Sequence, residues 1–295
     1  MSERAYLDLL AYVLDHGDLR PTRATLRSTG QRVDAYTVWA LDRLVFWLGG
    51  GFPAVTTKRL AFRQVVAELL WFLSGSTNVR PLQADGCRIW DEWADEDGEL
   101  GPVYGQQWRR FSESSLGGTD QIAQLVADLR AVVADPSHDK ARRLLLTSLD
   151  PSTVDGAALY PCHVLVQWDV WDGCLSCRVD QRSADLFLGL PFNIASYAAL
   201  THLLAAVVGL NVGTLTFHLG NAHVYANHTD QVREMLRRRP YDPPRLTLPL
   251  GVGFGPVDGT DLPMFHGADG KALCVDDLAL VGYQHHPELR GEVAV

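Results

Sequence analysis

The sequence predicts a single mixed α/β (α+β) domain spanning residues 1–295. Three observations carry that prediction. Stretches with apolar residues three and four apart alternate with short β-branched and aromatic runs, the periods of helix and strand. Residues 193–210, NIASYAALTHLLAAVVGL, are almost wholly apolar, and a helix apolar on nearly every side belongs at the centre of a fold. No internal repeat, low-complexity tract or linker divides the chain, and 47% hydrophobic residues suffice for one large core.

Taken in order, Ala5 to Asp15 spaces its leucines as an amphipathic helix, and Leu19 to Gly30 reads as an arginine- and threonine-rich loop. YTVWALDRLVFWL predicts strand structure broken at Asp42-Arg43. RLAFRQVVAELLWFLSG predicts a helix closed by Gly75, and DQIAQLVADLRAVVADP a second one stopped before Pro136. ARRLLLTSL, HVLVQWDVWDG and CLSCRVDQRS predict successive strands, with Asp172-Gly173 as a hairpin turn. After the central helix, TLTFHLGNAHVYANH resumes strand character and TDQVREMLRRRP predicts a short basic helix. The tail from Tyr241, rich in Pro and Gly, predicts loops with short strands.

A net charge of −9 argues against a non-specific nucleic-acid binder, although a local arginine cluster could still hold an anionic metabolite. The five cysteines are odd in number, and the charged, amphipathic N-terminus is unlike a signal segment. Together they predict a reducing, cytoplasmic setting. No apolar run is expected to span a bilayer, so no membrane partner is predicted.

Three groups of residues could carry chemistry. Cys162 sits in Pro161-Cys162-His163 just before a predicted strand. It reads equally as a small buried hydrophobe or as a nucleophile, whose thiolate would need a nearby cation such as Arg182. Cys174 and Cys177 lack the second pair that a metal site needs, so no metal is predicted. Arg142-Arg143 and Arg182-Ser183 sit at predicted strand ends and could grip a phosphate through forked hydrogen bonds, or could simply be solvated. His223 and Tyr225 are two apart on a predicted strand and share a face, which suits a sugar hydroxyl as well as it suits an ordinary half-buried strand.

Longer motifs add a resemblance. FPAVTTKR, ELLWFLSG, IWDEWADEDGELGPVYGQQWR, PCH, QRSADLFLGLPFNIASYA, HVYANH and the C-terminal GYQHHPELRGEVAV together closely resemble the folate-dependent thymidylate synthase family. The resemblance implies a large mixed sheet around a buried central helix, and a sheet-to-sheet homodimer with shared active sites. It implies Cys162 as the nucleophile that attacks C6 of a uracil ring, with Arg182 lowering its pKa and binding phosphate. Glu68 is implied to act through ordered water on O4, and Tyr104 to help remove the C5 proton. Asn193 is implied to read N3 and O4, because an amide offers both a donor and an acceptor. Gln181, Ser183 and Asp185 are implied in the nucleotide site, with His223 and Tyr225 on the sugar 3′-hydroxyl. Arg142 and Arg143 are implied to reach a partner subunit's phosphate. The co-substrate implied is 5,10-methylenetetrahydrofolate. Ile89, Trp90, Trp93, Leu159, Leu188, Gly189 and Phe192 are implied as its apolar wall, Asp185 as its pterin contact, and Val293 and Ala294 in the closing C-terminus.

Departures from the family pattern accompany these matches. The N-terminal phosphate loop reads LRPTRATLRSTGQRV, with Arg20, Arg23 and Arg27 as candidates, and Arg27 beside STG is the expected one. An insertion is expected before Gly51. Asn221 stands where the family usually has aspartate, Ala61 where many bacterial members have histidine, and Leu149 where tryptophan is usual. Asp169 and Asp180 replace aromatic residues. The leading expectation is reductive methylation of dUMP to dTMP. The alternative is a pyrimidine-nucleotide hydroxymethylase acting on a dUMP, UMP or CMP type of substrate, in which water captures the same intermediate. A non-catalytic nucleotide or RNA binder is disfavoured by the Cys162, Glu68 and Tyr104 set.

Overall fold

The computed structural model describes residues 3–112 and 117–294. Its centre is a six-stranded mixed sheet. The strands are β1 (Asp18–Arg20), β2 (Ala35–Trp47), β3 (Leu145–Thr147), β4 (His163–Trp171), β5 (Cys174–Asp185) and β6 (Asn211–Tyr225), in the order β1-β2-β6-β5-β4-β3. All neighbours are antiparallel except β5 and β6. A parallel pair needs a crossover, and helix α6 (Gly189–Val208) supplies it. Helices α1 (Arg4–His16), α2 (Phe62–Ser74), α3 (Val79–Ala84), α4 (Tyr104–Arg109), α5 (Gln121–Ala134) and α7 (Thr229–Arg237) complete the helical set, and the tail adds the short pairs β7 (Arg245–Thr247) with β10 (Ala279–Val281) and β8 (Gly253–Gly255) with β9 (Met264–His266).

Sequence chemistry explains the elements that position the site. Gly75 and Gly209 end α2 and α6 in the left-handed conformation, where a side chain would be strained. Asp172 and Gly173 both take positive φ, 49° and 70°, the pair that a tight hairpin between β4 and β5 requires. Asp120 caps α5 through the Ala123 N–H and also grips Arg109 with two bonds of 2.9 and 2.8 Å. That fork ties down α4 and therefore Tyr104, its first residue.

Several expectations need correction. The strand at Asp42-Arg43 does not break. β2 runs through a bulge between Leu41 and Leu44, and Ala40, just before it, takes the left-handed conformation. Arg142 and Arg143 do not open a strand, because β3 begins only at Leu145. Arg182 and Ser183 lie inside β5, which continues to Asp185. Part of the expected first loop pairs as β1, whose three residues are all exposed. Finally, α6 is by length and composition apolar enough to cross a bilayer, contrary to the expectation that no such run exists. Most of it is buried in this fold, packed on β5, β6, α2 and α5.

Candidate active site

A cavity of about 590 Å³ opens where β4, β5, β6, α2 and the start of α6 meet. Register puts its groups together. His163 on β4 pairs with Gln181 on β5, and Asp185 on β5 pairs with His223 on β6, so Cys162 and the β5–β6 residues face one space.

Cys162 stands at the entry to β4. Its N–H donates to the Tyr104 hydroxyl at 2.7 Å. Arg182 donates through Nε to the Pro161 carbonyl and through Nη2 to the Tyr160 carbonyl, both at 2.7 Å, and Nη2 lies 3.9 Å from Sγ. The guanidinium is thus fixed by the backbone that carries the thiol. Burial pushes the Cys162 thiol above its ordinary value, while Arg182 and Arg23 pull it down. Burial wins, so at rest the group is a thiol, and the pull that sequence reasoning assigned to Arg182 only offsets desolvation.

Behind Cys162, the Tyr104 ring stacks on His163 with centroids 4.0 Å apart. Burial drops His163 to about 3, so that ring is neutral and takes no part as a base near neutral pH. Its Nδ1 lies 2.6 Å from the Tyr197 hydroxyl. Tyr104 is raised well above its usual value by burial and stays a phenol. Glu68, buried on α2, accepts from Trp90 Nε1 at 2.7 Å. Burial lifts its carboxyl to about 7, a value from which it can both give and take a proton near neutral pH.

Asn193 sits in the second turn of α6 and its Oδ1 accepts from Gln181 Nε2 at 3.0 Å. Gln181 Nε2 also donates to the Ser183 carbonyl, which fixes the direction of that amide. Gln181 Oε1 is buried and finds no partner among the described residues. An orphaned acceptor of this kind in a cavity wall calls for a ligand donor or a water. Asp185 Oδ1 accepts from the N–H groups of Phe187 and Leu188, which fixes the turn into α6.

The apolar wall forms one surface. Ile89, Trp90, Trp93, Leu159, Leu188, Gly189 and Phe192 all line the cavity, with Trp90 and Trp93 edge to face at 5.8 Å. Gly291, Val293 and Ala294 line it from the C-terminal side, while Val295 lies outside the described residues. Asp185 stands on the same cavity wall as this aromatic slot.

The arginines divide. Arg27 does not line the cavity. It turns to Glu92, donating to its carbonyl at 2.5 Å and approaching its carboxylate at 3.5 Å. Arg23 lines the cavity instead, with Arg182. Arg142 and Arg143 are exposed outside this cavity, with Arg143 paired to Asp139 at 2.9 Å. Lys58 was missed by sequence reasoning, although it lies in the quoted FPAVTTKR run. It lines the cavity, donates to the Phe187 carbonyl and stands 3.9 Å over the Phe187 ring, and burial lowers it to about 8.

A thiol beside two cations, a buried proton carrier, an amide pair and an aromatic slot can add sulfur to an electron-poor ring and hold its charge and protons. The family model described as thymidylate synthase matches residues 4–295.

Proposed function

The chain belongs to the thymidylate synthase family, and from that premise we propose that it methylates dUMP reductively to dTMP. The family makes it a transferase acting on a pyrimidine nucleotide monophosphate with methylenetetrahydrofolate as co-substrate. The observation that carries the finer reading is the joint wall of one cavity. Cys162, Arg23, Arg182 and Asn193 stand beside a slot of Trp90, Trp93, Leu188 and Phe192, with Val293 and Ala294 at its edge.

In this reading Arg23 and Arg182 bind the phosphate as charge-assisted donors. His223 and Tyr225 take the sugar hydroxyl, and Ser183 lies beside it. The Asn193 amide accepts from N3–H and donates to O4, oriented by Gln181. Cys162 gives its proton to water as Sγ bonds to C6, and the C5–C6 π pair moves onto C5 and O4. Glu68 exchanges protons with O4 through water. Tyr104, hydrogen-bonded to the Cys162 backbone, assists loss of the C5 proton, after which the S–C6 bond breaks, its electron pair stays on sulfur, and water returns the proton that restores the thiol. Methylenetetrahydrofolate, when bound, supplies the carbon and the hydride. Trp90, Trp93 and the C-terminal residues exclude water from the site, which favours reduction over hydroxymethylation.

Asn193 favours uracil over cytosine, because cytosine offers the opposite donor and acceptor pattern and would leave buried groups unpaired at a cost of about 1–3 kcal/mol. Mass spectrometry of the product formed from dUMP, UMP or dCMP with the co-substrate tests the reading. The expected product is dTMP from dUMP. A hydroxymethyl product, or a preference for UMP or dCMP, would overturn it.

Exposed Trp171 on β4, 80% accessible and on the sheet face opposite the core residue Trp168, supports a sheet-to-sheet homodimer. Arg142 and Arg143 would then complete the phosphate site of a second copy. Mixing Cys162→Ala with Arg143→Ala protein should restore activity in hybrid dimers. Proven subunit exchange with no recovery would count against the sharing.

A further inference from the structure

Asn221, His223 and Tyr225 alternate along β6, so their side chains leave the strand on one side. Asn221 Oδ1 lies 2.9 Å from His223 Nδ1. A carbonyl oxygen only accepts, so Nδ1 carries the proton. A neutral imidazole has one such proton, which leaves Nε2 with a bare lone pair. His223 lines the cavity beside Tyr225, their ring centroids 5.0 Å apart.

We propose that Asn221 is a positioning residue that locks His223 as an acceptor, so that this corner of the cavity selects a ligand hydroxyl that donates. The identity of that hydroxyl as the sugar 3′-OH rests on the nucleotide reading above. His223 Nε2 then accepts the hydroxyl proton, and the Tyr225 hydroxyl is free to donate to the same oxygen.

The neutrality of Asn221 is what makes the lock hold. A carboxylate at the same distance would stabilise the imidazolium, and both ring nitrogens would become donors. The other charges around His223 come from several elements. Burial pushes its pKa down and prevails, while Asp185, its register partner on β5, and a bond to the Asn221 backbone pull it up. Tyr225 stays a phenol, raised to about 12 by burial. Thr37, the partner on β2, is uncharged, and Cys162, Arg182, Arg23 and Lys58 line the same cavity. The amide therefore adds no charge to a balance that already keeps the ring neutral.

Histidine-labelled nitrogen NMR of the whole protein, without ligand, reads the tautomer directly, with the His223→Gln spectrum identifying the signal. Wild-type protein at about pH 7 should show a protonated Nδ1 and a bare Nε2, and Asn221→Asp should show both nitrogens protonated. A protonated Nε2 in the wild type, as a reversed Asn221 amide would give, overturns the proposal. Steady-state kinetics supply the second arm. The dUMP KM of Asn221→Asp should rise roughly 2- to 10-fold over wild type as pH falls from about 8 to about 6, with the change on KM rather than kcat. The 2′,3′-dideoxy analogue should show no such difference. A variant KM profile that superimposes on the wild type also overturns it. If wild-type protein fails to bind dUMP at all, the nucleotide reading falls, and the ligand-free spectrum alone decides the role of Asn221.

Discussion

The floor of the cavity is built from β4, β5 and the first turns of α6, whereas its rim is built from residues 22–33 and 289–294, which have almost no regular structure. On the floor, each reacting group hangs from a ladder or a buried helix. Cys162 is held by Tyr104 and Arg182, and Asn193 by Gln181. On the rim, the N-terminal loop and the C-terminal segment hold each other through exposed contacts. Leu26 bridges Ala294, and Ser28 donates its N–H and hydroxyl to the Glu292 carboxylate at 2.8 and 2.6 Å. The Glu292 carbonyl in turn meets Asn227 and His228. Few buried apolar contacts and exposed hydrogen bonds mark the rim as the part that opens at low cost. In the proposed reaction, that difference would assign the chemistry to the fixed floor and ligand entry to the rim.

Substitutions can break or sharpen that division. The largest effect short of the nucleophile itself belongs to Glu68 on the floor. Glu68→Gln should lower kcat by roughly 10²- to 10⁴-fold. Because burial raises this carboxyl to about 7, it is an acid below that pH and a carboxylate above it. The wild-type kcat profile should therefore bend near 7, and the variant should lose the bend. A variant that keeps both rate and bend removes Glu68 from the proton path.

Next come Arg23 and Arg27 of the N-terminal loop. Arg23→Ala should raise the nucleotide KM by roughly 10- to 100-fold, as loss of a charged hydrogen bond does. Arg27→Ala removes an exposed contact to Glu92 and should change KM by no more than about 5-fold. Equal effects, or the reverse order, would return the phosphate role to Arg27.

The smallest effect tests the rim alone. Ser28→Ala breaks the contact to Glu292, so the co-substrate KM should rise a few-fold while covalent attack by Cys162 continues. Burial scarcely touches Glu292, and the Ser28 bonds hold its carboxyl below the usual range. The contact should therefore loosen only when pH falls far enough to protonate Glu292. A large drop in kcat in the Ser28 variant would mean that the rim takes part in the chemistry.

How much of this was legible in the sequence follows the same division. α2, α5 and α6 announce themselves by apolar spacing and terminal glycines or aspartate, and the β4–β5 hairpin by Asp172-Gly173. Long motifs name the floor residues because each sits in a regular element. α4 is six residues long and is fixed by the distant Asp120, so it has no periodic signal of its own. β2 continues through a bulge between Leu41 and Leu44, which residue type does not foretell. Arg23 and Arg27 are chemically identical in a loop without period. Only the tertiary contact to Glu92 sends one of them away from the cavity.

The central claim is that Cys162 bonds to the pyrimidine ring from a fixed floor. Incubating the protein with 5-fluoro-dUMP and the co-substrate, then digesting the denatured protein for peptide mass spectrometry, tests it most directly. Fluorine cannot leave C5 as a proton does, so release from sulfur is blocked and the adduct survives. The account predicts the nucleotide on the Cys162 peptide of wild-type protein and none on Cys162→Ala, whose turnover should fall roughly 10⁴-fold or more. An unmodified Cys162 peptide, or label on another residue, would contradict it.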